Sequence, residues 1–171
     1  FDQTLLLVDG MKMDDVQTGH HTLNMILPLY LIERIEIIKG PAARIFGQNA
    51  FNGAINIVTK DFVAQKGAIE MNLNELSYGS FEQKNISLST KITGENIKSL
   101  ISYSGNRSDG YRHNTDYKRN NYFIKTSFNT NNAPVDILVS FNENKFGANG
   151  FYASPSATEQ YEETQASLFG I

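Results

Sequence analysis

The chain has 171 residues, 40 % of them hydrophobic and 19 % charged, with a formal net charge of −3, a balance that excludes a nucleic-acid binder driven by positive charge. Cysteine is absent, which removes disulfides, thiol nucleophiles and thiolate metal sites together. No apolar run approaches the roughly 18 residues of a membrane-spanning helix, but spanning β-strands carry a much weaker signal per segment and stay open.

Thr4 to Val8 reads as a short apolar strand, and Asp9-Gly10 as a turn in which Gly supplies the positive φ. Met11 to His21 is polar and mixed and reads as loop. His20 and His21 are adjacent, so on an extended chain they point to opposite faces, which suits a solvated pair better than a metal site. Leu23 to Leu31 is apolar enough for a short helix. Pro28 inside it should end or bend that helix near Leu27. Glu33 to Lys60, ERIEIIKGPAARIFGQNAFNGAINIVTK, then organises the first part of the chain. Ile35, Ile37 and Ile38 make one β-branched strand, which Gly40-Pro41 stops. Ala42 to Phe46 can form a helical turn with Gly47 as its exit. Gly53 to Thr59, GAINIVT, is a second strand.

LLLVDG at 5–10, ERIEIIKGPAARIFG and NGAINIVTKD, in that order, resemble the plug domain of TonB-dependent outer-membrane receptors. Lys39, Arg44 and Phe51-Asn52 depart from the residues usual in that family. The resemblance implies an α+β plug that fills the lumen of a large β-barrel. On this reading residues 1–62 are the C-terminal part of a plug and residues 63–171 are the first five to six barrel strands.

From Gly67 the period switches to two. Ile69, Met71 and Leu73 alternate with Glu70, Asn72 and Asn74; Ile86, Leu88, Thr90 and Ile92 with Ser87, Ser89 and Lys91. The same pattern runs through Ile97–Tyr103, Tyr122–Phe128 and Val135–Asn142, and a further strand begins near Glu159. Short connections at Thr93–Asn96 and Asn129–Ala133 alternate with long polar ones at Gly105–Lys118 and Asn144–Thr158, apart from a short loop near Ser77–Ser80. Outer-membrane barrels have this asymmetry. Tyr78, Phe81, Tyr103, Tyr111, Tyr117 and Tyr122 lie near the long-loop edge, where an aromatic girdle would sit. A soluble β-sandwich would show the same alternation, since both bury one strand face. Five or six antiparallel strands cannot close, whereas plugged barrels have about 22 strands. The segment should therefore need further sheet from a longer protein; it starts without an initiator Met and stops in mid-pattern.

No nucleophile elbow, P-loop or helical His-Glu metal pair is present, and an enzyme is not expected. Asp14-Asp15 and Glu162-Glu163 read as solvated carboxylates. Glu33, Arg34 and Glu36 sit on the first strand of the central pair, and the resemblance implies contacts from them to opposite charges on the barrel wall. Ligand contacts are expected from the plug loop (Gln48, Asn49, Phe51 and Asn52) and from the long loops (Tyr111, Arg112 and His113 in one, Phe151 and Tyr152 in the other). Aromatics mixed with amides and Arg suit a bulky, partly polar ligand; loop packing would use the same residues. KFGANGFYASPSATEQYEET, 145–164, also resembles cobalamin-type members of the family. Some of those use Ca²⁺, for which Asp109 and Asp116 are the carboxylates on offer, few against the six to eight oxygens that ion takes.

The resemblance thus implies TonB-dependent transport of a large scarce ligand, a corrinoid first and a ferric siderophore next, across the bacterial outer membrane. Its partners would be the rest of the plug and barrel, outer-membrane lipid and the TonB complex, with a surface lipoprotein in some branches. A signalling receptor of the same architecture and a soluble β-rich binding module are the alternatives.

Overall fold

In a computed structural model of the chain, the described residues are 4–13, 27–40, 50, 52–60, 66–130, 133–150, 156 and 158–171. They divide into two units, Phe1–Asp61 and Phe62–Ile171.

The first unit is a four-stranded mixed sheet in the order β2-β1-β4-β3, with β1 at Thr4–Val8, β2 at Met11–Met13, β3 at Ile32–Lys39 and β4 at Gly53–Thr59. β1 runs parallel to β4 and antiparallel to β2. A strand held on both sides can be apolar throughout, and Leu5, Leu6, Leu7 and Val8 are all buried. Leu5 and Leu7 form the core with Ala50 and Ala54, and Ile38 packs against it.

The expected loop at Met11–His21 begins instead as a strand, because Val8 pairs Met11 across a two-residue hairpin. Asp9 (φ 48°) and Gly10 (φ 80°) are both left-handed, the requirement of that tight turn, and Asp-Gly is its usual sequence. Residues 14–21 lie outside the described set. Of the short helix expected over Leu23–Leu31, the described part shows one 3-10 turn at Leu29–Leu31, after Pro28. Pro28 is extended (φ −61°, ψ 140°), and its carbonyl accepts the Leu31 N–H at 3.0 Å, so Pro28 starts the turn rather than ending it. Residues 23–26 and the turn expected at 42–46 lie outside the described set.

The second unit is a six-stranded antiparallel meander: β5 (Ile69–Tyr78), β6 (Lys84–Thr93), β7 (Ile97–Ser108), β8 (Tyr117–Asn129), β9 (Pro134–Gly147) and β10 (Tyr161–Gly170). Its strands run further than the apolar alternation. Gly105–Ser108 and Tyr117–Lys118, expected as loop, are paired in register. The connection shrinks to 109–116, and the next one to 148–160. Both lie at one end of the sheet with the 79–83 turn, and the short turns at 94–96 and 130–133 lie at the other.

The two faces of this sheet have inverted polarity. Ile101, Ile124, Val139 and Phe169 form one cross-strand row and are 42, 43, 38 and 67 % exposed. On the opposite face Ser87, Ser104, Asn121 and Asn142 form a row and are buried, as are Ser89, Ser102 and Ser140 around Phe123. A water-soluble sandwich buries its apolar face. Here the more apolar face is outward, and the inward one is mainly small and polar with Leu100, Phe123, Leu138 and Leu168 buried among it, the arrangement of a wall between lipid and a polar lumen. Among the described residues no helix is long and apolar enough to cross a membrane.

Candidate functional site

Two clusters carry the residues that the sequence singled out. In the first unit, Arg34 and Glu36 sit two apart on β3 and share a face. The Arg34 guanidinium reaches Glu36 Oε1 at 2.8 Å and Glu33 Oε1 at 3.5 Å. Glu36 Oε2 accepts the Asn56 amide at 2.9 Å, and Asn56 Oδ1 accepts the Gly10 N–H at 3.0 Å. The Asn56 amide and then the Arg34 guanidinium hold the Glu36 carboxyl below the usual carboxylate range. Next to this chain, the Asp9 carboxylate accepts the Thr59 N–H at 2.8 Å and its hydroxyl at 2.6 Å. Among the described residues the charges of Glu33, Arg34 and Glu36 are partnered within their own sheet. The whole line ties the β1–β2 hairpin to β3 through β4.

The second cluster lies at the long-loop end of the six-stranded sheet. Tyr111 is two-thirds exposed; Phe81 meets it edge-on at 6.4 Å, and the Arg112 guanidinium lies 5.2 Å from its ring centre. Phe81 has φ 58°, a costly conformation for a bulky side chain. It is held there by two bonds to its carbonyl, from Asp109 N–H at 2.8 Å and Ser108 Oγ at 3.0 Å.

His113 turns away from this stack to the next loop, where its Nε2 is 2.8 Å from Glu159 Oε1. Asn114 (φ 51°) donates its amide to the carbonyls of Thr158 at 2.8 Å and Gln160 at 2.6 Å, and Asn149 donates to the His113 carbonyl at 2.6 Å. Gly147 makes that approach possible, since a Cβ there would stand 2.6 Å from the Asn114 backbone. The loop 109–116 is thus laced to Asn149, Thr158, Glu159 and Gln160, and Tyr111, Arg112 and Phe81 face outward beside it.

Of the expected ligand residues, Tyr111 and Arg112 are brought together and His113 serves the lacing. Asn52 accepts the Gly40 N–H on its carbonyl at 3.1 Å and closes the β3–β4 connection. Gln48, Asn49, Phe51, Phe151 and Tyr152 lie outside the described residues. The sequence reading missed Asn114, Asn149 and Glu159. Single Asn residues in polar loops carry one usable hint, their tolerance of the left-handed region. The girdle expectation needs one correction: Tyr117 pairs Ser108 and Phe146 on the polar face, opposite to Tyr103, Tyr122 and Phe141.

Asp109 lies 3.9 Å from Arg107, and the Asp116 carbonyl accepts the Gly147 N–H at 2.9 Å. Among the described residues no group of three or more His, Cys, Asp or Glu is placed to hold a metal ion. The two aspartates do not by themselves make the oxygen set that Ca²⁺ needs.

The His113 bond, and next its charge, hold the Glu159 carboxyl below the usual range. A carboxyl with a lowered folded pKa contributes stability that is present above its ordinary value and lost as pH falls through the lowered one. Acidification from pH 5 towards pH 3 (about the window of an ordinary Glu and below) should therefore loosen the lacing. Amide protection factors in 109–116 should fall over that window, and Glu159→Gln should remove the pH dependence; an unchanged profile in that variant would assign it elsewhere.

Residues 1–54 match the family model described as the TonB-dependent Receptor Plug Domain. Residues 1–54 therefore carry a TonB-dependent receptor plug domain. The chain is 33 % identical over 112 residues to the vitamin B12 transporter BtuB of Vibrio vulnificus strain YJ016, a match covering 65 % of this chain and 18 % of that protein. It is 37 % identical over 76 residues to the iron-regulated outer membrane virulence protein of Vibrio cholerae serotype O1 strain O395, covering 40 % of this chain and 12 % of that one. Its fold matches that of the pyoverdine outer membrane receptor FpvA of Pseudomonas aeruginosa PAO1, with a TM-score of 0.63 at 17 % identity, covering 82 % of this chain and 20 % of the other. The chain thus spans about a fifth of the length of these TonB-dependent receptors. Its first sheet lies largely within the plug match, and its second shares the antiparallel strand fold of these outer-membrane receptors, apolar side outward.

Proposed function

We propose that this chain is the plug end and first wall strands of a transporter that imports a large scarce ligand, a corrinoid in the first instance and a ferric siderophore next. The observation that carries the proposal is the plug match over 1–54 followed by a sheet of inverted polarity. The vitamin B12 transporters among the relatives favour the corrinoid.

The chain's own groups fit such a cycle. Tyr111, Phe81 and Arg112 give a flat aromatic face with a cation beside it, suited to a bulky ligand with polar edges. A plugged lumen blocks diffusion, and a tightly held ligand leaves slowly, so passage needs work. In this proposal the TonB complex of the inner membrane supplies that work by pulling on the plug. The Arg34–Glu36–Asn56 line is polar and at most half-buried, and polar contacts part more readily than an apolar core. No covalent bond is made or broken, so no catalytic residue is assigned.

Titration of the full-length receptor in detergent with cyanocobalamin and with a panel of ferric siderophores, each with and without Ca²⁺, tests this. Saturable cobalamin binding that weakens in Tyr111→Ala is expected. Siderophore binding alone would replace the corrinoid, and no binding to either class would overturn the proposal. A Ca²⁺ effect on affinity would bring Asp109 and Asp116 back as contributors to a larger oxygen set.

A further inference from the structure

One row on the lipid-facing side of the wall has no role in the transport reading. Lys84, Arg107, Lys118 and Lys145 are directly opposite one another across β6, β7, β8 and β9. Like charges paired across strands destabilise a sheet, so four in one row need a reason. Part of the charge is met locally. Glu82 is 2.9 Å from Lys84, Asp109 is 3.9 Å from Arg107, and Glu143 and Glu163 hold Lys145 at 3.5 and 2.9 Å. Lys118, between Arg107 and Lys145, has no carboxylate within ion-pair distance among the described residues, and only the Glu143 carboxylate in the row just inside acts on it electrostatically.

The row sits at a boundary. Two rows towards the membrane centre lie Tyr103, Tyr122 and Phe141, with ring centres 5.1 and 6.3 Å apart. Between the aromatic and cationic rows comes Ile86–Gly105–Asn120, where Gly105 has no side chain to fill the sheet surface. The result is a hollow of about 510 Å³ with Leu76, Ile86 and Tyr103 as an apolar floor and Lys84, Arg107 and Lys118 as a cationic rim. The Tyr103 hydroxyl donates to Asn120 Oδ1 at 3.2 Å, which keeps its ring across the gap. The hollow is at the long-loop end of the strands, the outer end in barrels of this kind.

We infer that this hollow binds a phosphate-bearing lipid of the outer leaflet, its acyl chain on Leu76, Ile86 and Tyr103 and its phosphate on Lys84, Arg107 and Lys118. Arg and Lys recognise phosphate through charge-assisted hydrogen bonds, and an anionic head group between the cations relieves their mutual repulsion. A lipid suits both halves of the hollow, whereas free phosphate would leave the apolar floor unused. The inference rests on the barrel fold and its outer-membrane place, not on the transported ligand, so a failed cobalamin titration leaves it standing.

The test compares binding of phosphorylated lipid A, and of lipid A with the same acyl chains but no phosphate, to the full-length receptor in detergent. EDTA is present so that no divalent cation bridges to Glu82 or Asp109. The phosphorylated probe should bind about tenfold tighter or more. Lys84→Gln, Arg107→Gln and Lys118→Gln should each weaken it about fivefold, the effect of about one interfacial cation, and leave the dephosphorylated probe unchanged. Lys145→Gln, whose amine is already held by two carboxylates, should change neither. Equal affinity for both probes, an equal loss on both in the Gln variants, or a Lys145→Gln loss matching that of Lys118→Gln would overturn the inference. If a variant fails to give the heat-modifiable band of a folded barrel, the comparison of the two probes on the unaltered receptor decides alone.

Discussion

Gly53→Ala should unseat the β3–β4 seam of the plug. Gly53 has φ 146°, where an L side chain is strained, and its added Cβ would overlap the carbonyl oxygen of Ile38. That oxygen cannot give way easily. Lys39 pairs Gly53 in the ladder, and Ile38 packs on Leu5, Leu7, Ala50 and Ala54. Backbone strain and overpacking add, for a loss of about 2–6 kcal/mol of plug stability. Gly10→Ala is the matched control. It also has positive φ (80°), but a Cβ there meets nothing within 4 Å, so only the strain of about 1–2 kcal/mol remains. Urea unfolding of the plug, read by protease sensitivity in 4–13 and 32–59, separates the two. Equal midpoints would mean that the Ile38 carbonyl is free to move.

The other large effect belongs to the wall. Ile101→Arg places a charge in the middle of the apolar face, in the row of Ile124 and Val139. Facing lipid near the bilayer midplane, it should destabilise the folded barrel by about 2–4 kcal/mol. Facing water, the same exposed change would stay within about 0.5 kcal/mol. Folding titrations of the full-length receptor in vesicles read the difference, with Ser102→Thr on the opposite face as the mild control. A near-zero effect of Ile101→Arg would place this face in water and remove the case for a membrane wall.

Which parts of this were legible in the sequence follows from the range of each signal. The period-two runs gave every strand of the wall, because side chains alternate wherever one face meets lipid. They stopped short at Tyr103 and began late at Tyr122 because the strands continue past the apolar band into polar residues, where alternation of polar with polar leaves no pattern. Parity still held information there. Tyr117 is five residues from Tyr122, an odd number, so the two must face opposite ways. In the plug, Arg34 and Glu36 are two apart on a strand, a spacing that already makes them partners. Asp9-Gly10 likewise carried a hairpin that a three-residue return strand, Met11–Met13, was too short to announce. The lacing of the long loops could not be read at all. His113 with Glu159 and Asn114 with Gln160 are each 46 residues apart, and nothing local to either end encodes the meeting.

The strands from Ile69 to Gly170 are read as wall with their apolar side in lipid. The chain has no cysteine, so single cysteines at Leu100, Ile101, Ser102 and Tyr103 of the full-length receptor, with any elsewhere replaced, can each carry a fluorophore. In vesicles containing brominated lipid, the labels at 101 and 103 should be quenched by the lipid and those at 100 and 102 should not. Quenching at 100 and 102 instead, or at none of the four, would contradict the account.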